Sequence, residues 1–274
     1  MIVKPIKLKD DILELDGIEE IREEQWNHYC YEKNNNGVPR VSHILAQCRS
    51  SEWLIQWAAN IGRRKYDYYR SKALDIGTIV HECVDNYLID VYSKHSVIPF
   101  AIDYDEIQQE YKESVYNCFE NFKLWEKRLY NLGGKIDEII GLEVPVTCPW
   151  YGGTIDCIAR INGAVYIIDF KTSKQISAEY LLQVTAYMWI INNNYAPYLP
   201  HIDGVGVIRM DKSNYGVVDD YFLNDFDPNH HNMIVNYQKC FMEYVNAFYR
   251  TINSEHIFDK YKEIYNPEKI YGVS

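Results

Sequence analysis

Several features that define common protein classes are missing from this 274-residue chain. Its seven cysteines stand singly, without a CxxC pair, whereas a zinc or iron–sulfur framework needs clustered thiolates. We therefore expect reduced thiols and no iron–sulfur cluster. No run of about 18 or more apolar residues occurs, which excludes a membrane-spanning helix. No Gly-rich phosphate loop occurs either, which argues against a nucleotide-metabolising enzyme.

Basic residues are also in short supply. The chain has 28 Lys and Arg against 39 Asp and Glu, a net charge of -11, which argues against a protein that coats nucleic acid with its whole surface. The stretch from Met1 to Asp16 mixes lysines with carboxylates and has no long apolar run. It therefore resembles neither a signal peptide nor an Arg-rich transit peptide. We expect a cytoplasmic protein that makes no membrane contact.

Hydrophobic periodicity divides the chain into sections that we assign to a single domain over residues 1–274. The sections are a lead-in over 1–36, a helical part over 37–132, a sheet with helices over 133–253 and a tail over 254–274. Two boundaries predicted from the pattern are a helix over 105–129 and a late strand over 215–222. The fold class predicted is mixed α/β (α+β), with a central mixed sheet flanked by helices and a helical N-terminal part.

The strongest local signal is Asn162-Gly163 between two apolar runs, which predicts a two-residue β-hairpin turn. The register of that hairpin places Asp156 opposite Asp169, and Lys171 projects from the same face because it follows Asp169 by two residues. Facing carboxylates among apolar neighbours destabilise a sheet. A divalent cation held by carboxylate oxygens would offset the repulsion. The alternative is a carboxylate pair satisfied by Lys171 and a nearby arginine, or by a shared proton.

Other polar residues are candidates for the same region. His81 lies on a predicted helix where a ring nitrogen could bind a metal, and Asp85, four residues later, could orient the ring from behind. The alternative for His81 is a purely structural histidine. Glu143 could reach the hairpin from the preceding strand, or it could be a solvated strand-edge residue. Gln183 and Tyr187 share one face of a later helix, a common pair that indicates little alone.

Taken in order, these motifs resemble those of the PD-(D/E)xK nuclease superfamily and, within it, the RecB-like branch. The matching residues are Gly77-x-x-x-His81, Glu143, Gly153-Thr154-Ile155-Asp156, Asp169-Phe170-Lys171 and Gln183-x-x-x-Tyr187. The chain departs from the pattern at Ile155, where the superfamily often has proline. The segment 38–45 and Trp57 further resemble mitochondrial genome maintenance exonucleases and their phage and bacterial relatives. The resemblance implies the restriction-endonuclease-like fold.

The same resemblance implies a role for each residue of the motifs. The metal ligands implied for one or two Mg²⁺ or Mn²⁺ ions are His81, Asp156, Asp169 and, through its main-chain carbonyl, Phe170. Lys171 would orient the attacking water, and Glu143 would support the site or a second metal. Gln183 and Tyr187 would position Lys171 and the DNA backbone. The predicted protein is a DNA exonuclease of single strands or ends, acting in replication, repair or recombination. The alternatives are an inactive DNA-binding or assembly module and a structure- or site-specific endonuclease.

A basic segment precedes these motifs. Residues 39–74 contain seven basic and two acidic residues, a balance of +5 that leaves the remaining chain at -16. Cations alternate with aromatic residues from 63 to 72, a composition typical of a groove for single-stranded nucleic acid. The candidate DNA contacts are Arg63, Arg64, Lys65, Arg70, Lys72, Thr172 and Lys174. The alternative is a solvated helix face that covers core tyrosines.

Overall fold

Helices precede a sheet in the chain order of this protein. The computed structural model describes residues 38–48, 52–92, 101–195 and 197–264, so the predicted lead-in and the last part of the predicted tail lie outside the described residues. The helices are α1 (Val41–Cys48), α2 (Glu52–Ile61), α3 (Arg63–Tyr92), α4 (Lys112–Asn131), α5 (Ala178–Asn194) and α6 (Pro228–Ile264). The strands are β1 (Ile136–Thr147), β2 (Gly152–Ile161), β3 (Ala164–Lys171), β4 (Gly204–Met210) and β5 (Val218–Asn224).

The five strands form one mixed sheet in the spatial order β1-β2-β3-β4-β5. Neighbouring strands are antiparallel except for β3 and β4, which are parallel. A parallel pair cannot be joined by a tight turn, and α5 lies in the connection between these two strands. The predicted mixed α/β class, with a helix-flanked sheet and a helical N-terminal part, is confirmed.

The predicted Asn-Gly hairpin joins β2 to β3. Asn162 and Gly163 have φ angles of 50° and 84°, the positive values that a two-residue turn of this kind requires. Pairing then runs in the predicted register but ends at Cys157 and Ile168. The predicted pair of Asp156 and Asp169 is therefore not part of the ladder. The Asp156 carboxylate instead accepts a hydrogen bond from the main-chain N–H of Phe170, with Oδ2 2.8 Å from the nitrogen.

Each face of the sheet is covered by a different set of helices. The core on one face joins α1, α5 and α6 to the sheet, and the core on the other joins α3 and α4. Side chains alternate between the two cores: Val205 and Val207 point to the first, whereas Ile208 and Met210 belong to the second. All of β4 is buried, as expected of a strand covered on both faces.

Two predicted boundaries are wrong because side chains bond to the loop backbone. The helix predicted from residue 105 begins at Lys112, and Asp103 Oδ1 accepts the N–H of Asp105 at 2.9 Å, a turn that competes with a helix. The strand predicted from residue 215 begins at Val218. Before it, Gly216 has a φ of 86°, which places it in a turn, and its N–H donates to Asn121 Oδ1 at 2.7 Å.

The last helix extends beyond the predicted domain boundary at residue 253. Asp227 precedes α6, and its Oδ1 accepts the N–H of Asn229 at 2.8 Å. An acidic cap followed by a proline at the first helical position is a strong helix start. The helix then runs for 37 residues to Ile264, so that part of the predicted tail is helical. Despite this length, no helix within the described ranges is apolar enough to cross a bilayer.

Candidate metal centre

Helix α3 and the end of β3 lie against each other at the candidate site. The His81 Nε2 atom lies 2.9 Å from the carbonyl oxygen of Phe170, and the two rings meet edge to face with centroids 6.0 Å apart. One turn before His81, a Cβ atom added to Gly77 would lie 3.8 Å from the Thr172 hydroxyl oxygen. A Cβ atom there would make only an ordinary van der Waals contact, and the position shows that the end of β3 lies beside α3.

Three side chains from three elements converge on one point. One ligand atom each from His81 (α3), Glu143 (β1) and Asp156 (β2) lies within 4.8 Å of the others. Ligands of a single Mg²⁺ ion at about 2.1 Å lie within about 4.2 Å of one another. Small side-chain movements therefore bring these three atoms to coordination distance. Carboxylate oxygens suit both Mg²⁺ and Mn²⁺, and of these two ions Mn²⁺ accepts an imidazole nitrogen more readily.

Glu143 reaches this point because the backbone of β1 is distorted there. The ladder pairs on either side of Glu143 place it opposite Asp156. Its φ angle is 48°, a left-handed value that costs a non-glycine residue about 1–2 kcal/mol. Such strain is concentrated at functional sites. The sequence carried a signal for an irregular strand, because Gly141 and Pro145 interrupt its apolar run.

Asp169 and Lys171 form a buried ion pair next to these three residues. The Lys171 Nζ atom lies 2.7 Å from Asp169 Oδ1. The Asp169 side chain is only 4% exposed, and its other oxygen, Oδ2, is buried without a hydrogen-bond partner. Asp169 therefore has one oxygen neutralised by lysine and one that lacks a partner. Of the predicted metal ligands, His81 and Asp156 belong to the convergent group together with Glu143, and Asp169 lies beside it.

The carboxyl groups of the site raise one another's pKa values. Burial raises the pKa of Asp85 to about 8, and the negative charges of Glu143 and Asp156 add to the effect. The Glu143 side chain is exposed, but the protein atoms around it remove part of its hydration, and this desolvation, together with the charge of Asp156, also raises its pKa. The pKa of Asp169 is also raised, because burial outweighs the opposing charge of Lys171. The described residues thus leave the site short of positive charge, and a divalent cation fits this deficit and the unpaired Asp169 oxygen.

The contact predicted between Asp85 and the His81 ring is absent from the described structure. Asp85 was expected to orient the ring, but the ring nitrogens face other groups. Nε2 faces the Phe170 carbonyl, and Nδ1 lies 3.7 Å from Asp156 Oδ2. The Oδ1 atom of Asp85 is buried without a hydrogen-bond partner. The Phe170 carbonyl, expected to bind metal, lies at hydrogen-bonding distance from the His81 ring.

The helix that follows β3 contributes a residue that sequence reasoning missed. A Cβ atom at Gly153 would lie 2.3 Å from the Tyr187 hydroxyl oxygen, so the buried Tyr187 packs on β2 where only glycine fits. Gln183 lies half-buried one turn earlier. The residue that contacts Lys171 is Tyr180, whose ring centroid lies 5.0 Å from Nζ. Its spacing from Gln183 and Tyr187, at i, i+3 and i+7 on one helix stripe, was the available signal.

The basic segment forms the first part of α3. Arg63, Arg64, Lys65 and Arg70 are exposed, and the first turn contains no acidic residue. Cations at the N-terminus of a helix are unfavourable because that end of the helix dipole is positive. This surface is therefore suited to attract an anion. Beyond β3, Lys174 is exposed and Thr172 is half-buried.

Aromatic rings line the same segment, and two of its cations have acidic partners. Trp57 contacts Tyr66 and Tyr69, with ring centroids 5.8 and 6.1 Å apart. Tyr68 and Tyr69 are 50% and 49% exposed, so the rings are not simply core residues. The Lys72 ammonium lies 2.8 Å from a Glu110 carboxylate oxygen. Lys72 is thus neutralised within the chain, and the exposed Arg63 lies 3.7 Å from an Asp67 carboxylate oxygen.

Comparison with protein-family models and with curated proteins finds no match. Among solved structures, the chain is similar to one described as "Crystal structure of SSO0001", with 12% sequence identity. The similarity covers 61% of this chain and 85% of that chain, with a TM-score of 0.24. A TM-score this low carries no information about function, which leaves the geometry of the site as the guide to its chemistry.

Proposed function

We propose that this protein is a metal-dependent deoxyribonuclease of the PD-(D/E)xK type that hydrolyses phosphodiester bonds in single-stranded DNA or at DNA ends. One observation carries the proposal: His81, Glu143 and Asp156 converge within 4.8 Å beside the buried pair of Asp169 and Lys171. Scattered surface carboxylates have neither the buried oxygen without a partner nor the adjacent ammonium group. This proposal places the chain in the RecB-like branch of the superfamily.

The proposed cofactor is Mg²⁺ or Mn²⁺, as one or two ions. The residues that would hold it are His81, Glu143, Asp156 and Asp169. The chemistry supplied by such an ion is Lewis acidity, which polarises a phosphoryl oxygen and eases ionisation of the attacking water. The strained Glu143 and the partnerless Asp169 oxygen are the two features of the chain that a cation would stabilise.

Lys171 is proposed to act as a cation and not as a base. Burial lowers its pKa, but the negative charges of Asp169 and Asp156 outweigh burial, and the net pKa is raised above its usual value. The side chain therefore remains an ammonium group at neutral pH. It can donate hydrogen bonds to the attacking water or to the phosphate oxygens, which carry more negative charge in the transition state.

The bonds that change are those of ordinary phosphodiester hydrolysis. The water oxygen bonds to phosphorus, the bond from phosphorus to the 3′ oxygen breaks, and a proton ends on that 3′ oxygen. The products are a 5′-phosphate and a 3′-hydroxyl. The Asp156 carboxylate, a proposed metal ligand, is held in position by a 2.8 Å hydrogen bond from the main-chain N–H of Phe170.

DNA is proposed to approach along α3. Arg63, Arg64 and Lys65 would contact phosphates, and the half-exposed rings of Tyr68 and Tyr69 would stack on bases. With a rise of about 1.5 Å per residue, the cations lie about 25 Å along the helix from His81. They would therefore contact DNA away from the cleaved phosphate. The dependence of cleavage on salt concentration should be steep.

The test uses end-labelled DNA, single- and double-stranded, linear and circular, with Mg²⁺ or Mn²⁺ and with EDTA as the control. We expect degradation of linear single strands, no cleavage of single-stranded circles and no activity in EDTA. Glu143→Gln should abolish activity, whereas the matched variant Glu138→Gln, on the same strand, should retain it. Cleavage of circles would identify an endonuclease instead. DNA binding without any cleavage would identify a binding module.

A further inference from the structure

Lys171 has two partners of different chemical kinds. Its Nζ atom lies 2.7 Å from Asp169 Oδ1 and 5.0 Å from the centroid of the Tyr180 ring. The first contact is a salt bridge, and the second lies within the distance of about 6 Å at which an aromatic face attracts a cation. The Lys171 side chain is 20% exposed, so both contacts are only partly screened by solvent.

The two partners differ in whether a bound metal ion would weaken their attraction for Lys171. Asp169 lies beside the convergent metal-binding group, and its buried Oδ2 has no hydrogen-bond partner. A carboxylate that shares its charge with a divalent cation attracts an ammonium group less strongly. The neutral ring of Tyr180 is under no such competition. Its attraction for Lys171 is the same whether or not Asp169 has a second cationic partner.

Tyr180 is well placed to hold a flexible lysine. It lies in the first turn of α5, where its N–H donates to the Ser177 carbonyl at 3.1 Å. The half-buried side chain packs against the core formed by α1, α5 and α6. The ring is thus held by its own packing before it meets Lys171. A preset ring reduces the rotamer freedom that a lysine side chain would otherwise keep.

We propose that Tyr180 is a positioning residue that keeps the Lys171 ammonium in the site when Asp169 shares its charge with a divalent cation. The catalytic consequence rests on the proposed function, but the contact can be measured without it. Tyr180 acts through Lys171 and needs no contact with water or phosphate. The aromatic ring of Tyr180, and not its hydroxyl group, provides the attraction for Lys171.

The first experiment measures the reactivity of Lys171 directly. Wild type, Tyr180→Phe and Tyr180→Leu are treated with formaldehyde and cyanoborohydride, in EDTA or with saturating Mn²⁺. Peptide mass spectrometry then gives the methylation rate of Lys171 relative to the exposed Lys174 in the same loop. We expect slow methylation in all three proteins in EDTA. With Mn²⁺, Lys171 should react roughly 3- to 30-fold faster in Tyr180→Leu than in the other two.

Each outcome of this experiment is decisive. Equal rates for Lys171 in Tyr180→Leu and wild type with Mn²⁺ would overturn the inference, even if the wild type degrades DNA. A faster rate confined to Tyr180→Leu supports it, even if no protein degrades DNA. Failure of the proposed function is therefore distinguishable from failure of the positioning role.

The second experiment measures hydrolysis of single-stranded DNA by the same proteins. Tyr180→Leu should lower kcat by roughly 3- to 30-fold with little change in KM, because Lys171 acts in the transition state. Tyr180→Phe should match wild type. Equal losses in both variants would assign the effect to the hydroxyl group and contradict the inference.

A further variant, Tyr180→Trp, is the control in case Tyr180→Leu unfolds at a much lower temperature. Because it keeps an aromatic face, Tyr180→Trp should retain wild-type kcat. A loss of kcat equal to that of Tyr180→Leu would overturn the inference.

Discussion

Two buried charged groups on adjacent strands are balanced in different ways. Arg209 on β4 pairs in register with Lys171 on β3, and its side chain is 4% exposed. It donates to Asp219 at 2.7 Å, to Asp211 at 2.9 Å and to the Ser173 carbonyl at 3.2 Å. The carboxylates of Asp219 and Asp211 therefore balance the charge of this guanidinium within the chain.

The carboxylate cluster one strand away lacks this balance. Asp169 is as deeply buried as Arg209, but only one of its oxygens has a partner. Asp156 adds negative charge to the same region, where the pKa of Glu143 is raised and the pKa of Asp85, about 8, keeps that carboxyl protonated at neutral pH. Against these four carboxyl groups, the nearby described cation is Lys171.

The difference indicates which of the two clusters is structural. Burying an unbalanced charge costs several kcal/mol, and the Arg209 cluster avoids that cost by ion pairing within the chain. The carboxylate cluster retains the cost, as functional sites commonly do. The missing counter-charge is what the proposed Mg²⁺ or Mn²⁺ would supply. Four predictions test this contrast.

The largest effect is expected from the partnerless carboxylate and its lysine. Asp169→Ala and Lys171→Ala should each lower the rate of DNA hydrolysis by roughly 10²-fold or more, because the first removes a proposed metal ligand and the second removes the cation that acts on the phosphate. Binding of a fluorescent single-stranded oligonucleotide should be retained. Substantial cleavage by either variant would disprove the site assignment.

Manganese should stabilise the folded protein through the convergent ligands. At a concentration about 100-fold above its Kd, Mn²⁺ should add about 2.7 kcal/mol to the free energy of unfolding. Urea titrations with and without Mn²⁺ measure this increment. Glu143→Gln should lose most of it, while the matched variant Glu138→Gln keeps it. Equal increments in both variants would place the ion elsewhere.

The Arg209 cluster should contribute to the stability of the fold without any dependence on Mn²⁺. Arg209→Met should lower the free energy of unfolding by about 2 kcal/mol, because three hydrogen bonds to a buried cation are lost. The remaining aspartates are partly exposed, which limits the loss. The Mn²⁺ increment should be unchanged. A variant as stable as wild type would show that the buried pairing contributes little.

The smallest effect concerns the dependence of stability on pH. The unfolded chain ionises Asp85 near its usual pKa of 3.8, whereas the folded protein holds the proton up to about 8. Wild-type stability in EDTA should therefore fall as pH rises through this window. Asp85→Asn lacks that penalty, so it should exceed wild type at pH 8 by at least about 1 kcal/mol.

Thermal unfolding of wild type and Asp85→Asn at pH 4 and pH 8 provides the comparison. The advantage of Asp85→Asn should nearly vanish at pH 4, where the protonated Asp85 of the folded wild type is as neutral as the asparagine of the variant. An advantage of the same size at both pH values would contradict a raised pKa for Asp85.

The sequence by itself determined the parts of this protein that depend on neighbouring residues. Asn162-Gly163 specified its hairpin because a two-residue turn needs positive φ angles there. Apolar runs of period two specified the strands. The alternation of cations with aromatic rings from 63 to 72 predicts a surface for a polyanion, which stays a prediction. The motif residues His81 and Asp156 were identified in the same way, from short patterns read in order.

Only the tertiary structure decided which groups meet and how their charges balance. The pairing of β2 with β3 ends before Asp156 because its carboxylate accepts a hydrogen bond from the main-chain N–H of Phe170. No local sequence pattern encodes where this pairing ends. The left-handed turn at Glu143 and the ring of Tyr180 over Lys171 depend on packing between distant segments. Long-range contacts also set burial, and burial sets the pKa values. The candidate residues could thus be predicted from sequence, while the ligand group and its charge deficit required the fold.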